Sequence, residues 1–96
     1  MRKNLQRVLA AWNKGEETTK PGETISTDGR NIYSYWTCIV ARTPTGGVVF
    51  NASEYSPTTK RQQNAIRAAL LVNFDAIVTD APRGVTPEEI IALAGK

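Results

Sequence analysis

The chain has 96 residues, 41% of them hydrophobic, and 12 Lys and Arg against 9 Asp and Glu give a formal net charge of +3. That length supports one domain with a single modest core, and no stretch approaches the roughly 18 apolar residues of a membrane-spanning helix. There is no histidine and only one cysteine, Cys38, which excludes an internal disulfide, the Ser-His and Cys-His nucleophile pairs and most zinc sites.

The chain therefore reads as non-enzymatic, with no cofactor and no metal. The start Met1-Arg2-Lys3-Asn4 does not continue into the apolar core of a signal peptide. A reducing, cytoplasmic location is the expectation. The charge is segregated. Residues 1–15 carry Arg2, Lys3, Arg7 and Lys14 without an acid, and residues 55–72 carry Lys60, Arg61 and Arg67 without one. From residue 73 onward Asp75, Asp80, Glu88 and Glu89 outnumber Arg83 and Lys96. A basic face and an acidic end speak to partners rather than to fold.

Along the chain, Leu5, Val8, Leu9 and Trp12 recur at helical spacing and predict a helix over 3–14 that Gly15 ends. Residues 16–23 hold no apolar side chain and include Pro21-Gly22, so they read as a loop. Asp28-Gly29 between two β-prone runs predicts a hairpin with Ile25 opposite Ile32. The second strand is expected to run on through Tyr33, Tyr35 and Trp36 to Arg42, with Ile32, Trp36, Cys38 and Val40 on the core side. Tyr33, Tyr35, Thr37 and Ile39 fall on the other. Thr43-Pro44-Thr45-Gly46-Gly47 makes the next turn and 48–52 the third strand.

Ser56 then caps a helix that Pro57 begins, running to about Val72. Residues 74–80 fit either a short fourth strand or a returning turn. Thr86-Pro87-Glu88-Glu89 opens a last helix with a capping box. The expected fold is α+β: a three-stranded antiparallel meander with helices packed on one face, in α-β-β-β-α order, plus a short C-terminal helix, all in one domain.

Two candidate sites follow. A helix start exposes N–H groups and the positive end of a dipole, so Ser56, Thr58, Thr59, Lys60 and Arg61 suit a phosphate, with Arg67 further along and Arg2, Lys3 and Arg7 from the first helix. The plainer account is a well-capped helix with solvated cations. Tyr33 and Tyr35, with Arg42 at the strand end, suit base stacking or protein contact; packing against a helix or across strands explains them equally. Cys38 reads as a small buried hydrophobe.

Ile25-Ser26-Thr27-Asp28-Gly29, the run Ile32 to Arg42, and Tyr55-Ser56-Pro57-Thr58-Thr59 together resemble a family of small uncharacterised proteins carried by phages, prophages and plasmids. The resemblance spans about residues 3–72 and implies a mobile-element origin, hence a host-cell cytoplasm, with no established activity. Arg61-Gln62-Gln63 stands where that family is expected to carry a histidine, so no role of that histidine transfers. The expected order of elements is also similar to the double-stranded-RNA-binding domain. Lys60, Arg61 and Arg67 correspond in kind to that domain's phosphate-facing cations, and Ala65, Ala68 and Ala69 to its alanine-rich helix. Asn51 to Tyr55 replaces the glycines and lysines that precede that helix. The function expected is an accessory protein binding DNA or RNA backbone, with no membrane partner. The alternative is a small inhibitor or adaptor of a host protein such as a defence nuclease, docking through a patch around Tyr33, Tyr35 and Ile39.

Overall fold

The computed structural model describes residues 3–70 and 72–95. Helix α1 (Lys3–Lys14) buries Leu5, Val8, Leu9 and Trp12, the stripe that the spacing predicts. Then come strands β1 (Glu17–Thr18), β2 (Ile25–Asp28), β3 (Ile32–Ser34), β4 (Thr37–Arg42) and β5 (Val48–Asn51). Helix α2 (Pro57–Ala69), strand β6 (Ala76–Val78) and helix α3 (Pro87–Ala94) complete the order. No helix among the described residues is long and apolar enough to cross a membrane.

The α+β class holds, but the three-stranded meander does not. The sheet has six strands in sequence order. Neighbours are antiparallel from β1 to β5, and β6 joins β5 in parallel. Residues 74–80 thus supply a strand, anchored where the Val48 N–H donates to Asp75 Oδ2 at 2.6 Å and the Asp75 N–H to the Val48 carbonyl at 2.8 Å.

Nor do the helices share one face. Leu5, Trp12 and Ile66 from α1 and α2 meet Ile25, Ile32, Val40 and Phe50 in one core. Ile90 of α3 meets Cys38, Ala41, Val49 and Val78 in a second core. The physical reason is visible in β4, where five successive residues, Thr37 to Ala41, are buried. A strand covered on both faces carries a near-continuous apolar run rather than an alternation.

The long second strand is a hairpin. Ser34 pairs with Thr37, and Tyr35-Trp36 forms the two-residue connection. A bulge follows: Ile32 faces Val40 while Tyr33 faces Cys38, which leaves Ile39 as the extra residue. Turn and bulge together move Cys38 to the α3 side and Ile39 to the α1–α2 side, and they eject Trp36 from the core entirely. In the first hairpin Thr27 pairs with Ile32, and Ile25 with Ser34. This two-residue slip from the expected pairing leaves Ile25 and Ile32 on the same face, because the side-chain period is two. Gly29 sits at φ 93°, and a Cβ there would lie 2.6 Å from the Gly15 carbonyl oxygen, so the turn closes tightly on the end of α1.

Candidate nucleic-acid interface

The site grows from the Tyr35-Trp36 turn. Tyr35 has φ 56°, the only positive value among the described non-glycine residues. The first central position of a type II′ hairpin turn has this sign and ordinarily takes glycine. A tyrosine there carries roughly 1–2 kcal/mol of strain. Three bonds hold it in place. The Tyr35 N–H donates to the Thr24 carbonyl at 2.6 Å, the Ser34 hydroxyl donates to Gln62 Oε1, and Gln62 Nε2 donates to Thr24 Oγ1 at 2.6 Å. The outcome is an aromatic tip: Tyr35 is 52% exposed and Trp36 86%.

This tip overhangs a cleft of about 360 Å³, bounded by Tyr55, Ser56 and Thr59 at the start of α2 and by Arg83-Gly84. Its described lining includes one cation and no acid. A buried polar network fixes the walls. Asn51 Nδ2 donates to the Cys38 carbonyl at 2.9 Å and to the Tyr55 hydroxyl at 3.0 Å. That hydroxyl donates to the Ala81 carbonyl at 2.8 Å. Gln63 Nε2 donates to the carbonyls of Asn51 and Ser53, and the Gly84 N–H donates to Thr37 Oγ1 at 2.9 Å. Through the Tyr55–Ala81 and Gly84–Thr37 bonds the loop carrying Arg83 is held against the aromatic turn.

The structure disperses the cations expected to act together. Ser56 caps α2 by accepting from the Thr59 N–H at 3.3 Å, and Thr59 is buried against Ser34. Pro57 has no N–H, so Thr58 offers the one free donor of that first turn among the described residues. Thr58 and Arg61 line a groove shared with Asn4 and Leu5 of α1. Lys60 and Arg67 are exposed and, at two turns' spacing, share the opposite flank. The Arg67 guanidinium lies 5.8 Å from the Phe50 ring centre. Lys3 and Arg7 belong to a third groove with Lys20 and Glu23, and Arg7 Nη1 is pinned to Thr18 Oγ1 at 2.6 Å. Arg2 lies outside the described residues.

Two of the expected stacking residues are committed elsewhere. The Tyr33 hydroxyl donates to Asp28 Oδ2 at 2.9 Å, and burial together with this bond pushes its phenol well above its usual range. The Arg42 guanidinium sits 3.6 Å from the Trp12 ring centre. Only Tyr35 remains free, joined by Trp36. Burial, with the Asp28 and Glu88 charges, pushes the Cys38 thiol up to about 12, so it is no nucleophile.

Sequence reasoning missed Trp36, Tyr55 and Arg83 as parts of one site. A signal existed for the scaffold: Gln63 falls on the apolar stripe of α2 with Thr59, Ile66 and Leu70, and a polar residue there demands buried partners.

A family model matches residues 7–75, from the first turns of α1 to the threshold of β6. The chain belongs to DUF8033, a family of unknown function. No curated protein and no solved structure matches it. The DUF8033 span takes in the aromatic turn and the start of α2 but stops short of Arg83, so the cleft straddles its boundary.

Proposed function

We propose that this protein is a non-enzymatic accessory protein that binds a single strand of DNA or RNA at the aromatic turn. The observation that carries the reading is Trp36, 86% exposed beside Tyr35, on a strained turn above a cleft containing Arg83. Unpaired bases stack on such rings at about 1–3 kcal/mol per base, with little sequence preference, while nearby cations hold the phosphates. Arg83 lines the same cleft as the two rings and would take a phosphate beside a stacked base. A duplex, whose bases are already stacked on each other, offers the rings no free face.

The chain contains its own probe. Trp12 is fully buried and Trp36 is not, so quenching by an oligonucleotide of tryptophan emission, excited where tyrosine does not absorb, reports the turn. We expect quenching by oligothymidylate that weakens with salt, at a log–log slope of about −0.7 per phosphate contacted. No quenching at low salt, or a salt-insensitive complex, overturns the reading. The host-protein alternative drew on a patch around Tyr33, Tyr35 and Ile39. Ile39 is buried and Tyr33 is tied to Asp28, so that patch is not formed. A partner that remains bound in a pull-down after nuclease treatment would restore that alternative.

A further inference from the structure

We infer that the strand does not end at the aromatic turn but runs on, between α1 and α2, to a second phosphate-binding station formed by Lys3 and Lys20 in front of Arg7. This rests on the single-strand reading above and extends it from one base site to a track. Continuity is the first argument. Thr24 accepts the Tyr35 N–H and the Gln62 amide, and the same Thr24 and Gln62, with Thr58 and Arg61, line the groove between the helices. The base of the turn and the groove wall are therefore one surface. That groove in turn shares Asn4 and Glu23 with the one bounded by Lys3, Arg7 and Lys20.

Charge is the second argument. Among the described residues of the last groove three cations face one carboxylate, Glu23, which accepts from Asn4 Nδ2 at 2.6 Å. Arg7 is held by one arm to Thr18, and its Nη2 is shielded from water with no hydrogen-bond partner among the described residues. A shielded, half-satisfied guanidinium is costly. Its field adds to that of the two ammonium groups in front of it and favours an arriving anion.

The test compares oligothymidylates of about four and about twelve nucleotides, both within the usual range of single-strand sites. Both should quench Trp36, but the longer one should bind with a steeper salt slope. Lys3→Glu combined with Lys20→Glu should remove about two phosphate contacts, flattening the longer oligomer's slope by about 1.4 and leaving the short one unaffected. Glu23→Gln should act in the opposite direction and tighten only the longer oligomer. Equal slopes for the two lengths in the native protein, or charge variants without effect on the longer one, overturn the track while Trp36 quenching keeps the base site. Loss of quenching with both lengths overturns the base site and the track with it. The length series on the native protein decides even if a variant fails to fold.

Discussion

The two tryptophans sit in opposite circumstances. Trp12 is wholly buried, its indole N–H donates to the Arg30 carbonyl at 2.9 Å, and the Arg42 guanidinium covers its ring. Trp36 projects from a turn into solvent at the mouth of a cleft. Both regions bring an arginine near aromatic rings, yet at Trp12 the cation is spent on the ring and on the last turn of α1, while Arg83, which lines the cleft with Trp36, is exposed. Residue type does not separate a structural aromatic–cation pair from a site available to ligand. The state of its polar atoms and ring faces does.

That contrast can be broken from either side. Trp12→Ala should cost about 3–5 kcal/mol of folding free energy, seen as a large fall in the urea midpoint. Against a total of roughly 5–15 kcal/mol this threatens the fold itself. Trp36→Ala should leave the urea midpoint within about 0.5 kcal/mol of the parent. Labelled-oligonucleotide anisotropy should then show about 1–3 kcal/mol of lost affinity, from about five-fold to over a hundred-fold. Equal effects of the two substitutions on stability would erase the distinction.

Asp28 sharpens the structural side. Burial alone would raise its carboxyl, but the backbone N–H groups of Asn31 and Arg30, with the Asn31 and Tyr33 side chains, outweigh it and hold the group below its ordinary 3.8. A depressed folded-state value means its contribution is full above that ordinary value and is lost as pH falls through the lower one. Acid titration followed by circular dichroism should show this loss, and Asp28→Asn should flatten that limb. The smallest effect belongs to Tyr35→Gly. Relief of positive-φ strain, partly offset by glycine's flexibility, should raise stability by roughly 1 kcal/mol or less. Oligonucleotide binding should weaken at the same time, a trade of stability against function.

Helix starts and stripes were legible. Leu5, Val8, Leu9 and Trp12 are buried as spaced, Ser56 caps with Pro57 behind it, and Thr86 and Glu89 form the capping box. The β region was only partly so. Tyr35 and Trp36 are strong strand formers and lack the Gly, Asn or Asp that marks a two-residue turn, so local propensity argued for an unbroken strand where tertiary packing demands a corner. The bulge at Ile39 and the two-residue β1 leave no sequence mark. Parallel β6 depends on a partner 27 positions away, Val49 with Ala76. The α2 cations Lys60, Arg61 and Arg67 are exposed, but periodicity along one helix cannot say which neighbour each flank faces.

The parallel β5–β6 pairing has a consequence for order of assembly. Neighbouring antiparallel strands close over short connections, whereas β6 must wait for the whole of α2 to be threaded across, a slower step on loop-closure grounds. Arg83 and Gly84 follow β6 in the chain, so the cleft is completed by the last layer to dock. Transient release of that layer would dismantle the cleft while the remaining sheet stays folded.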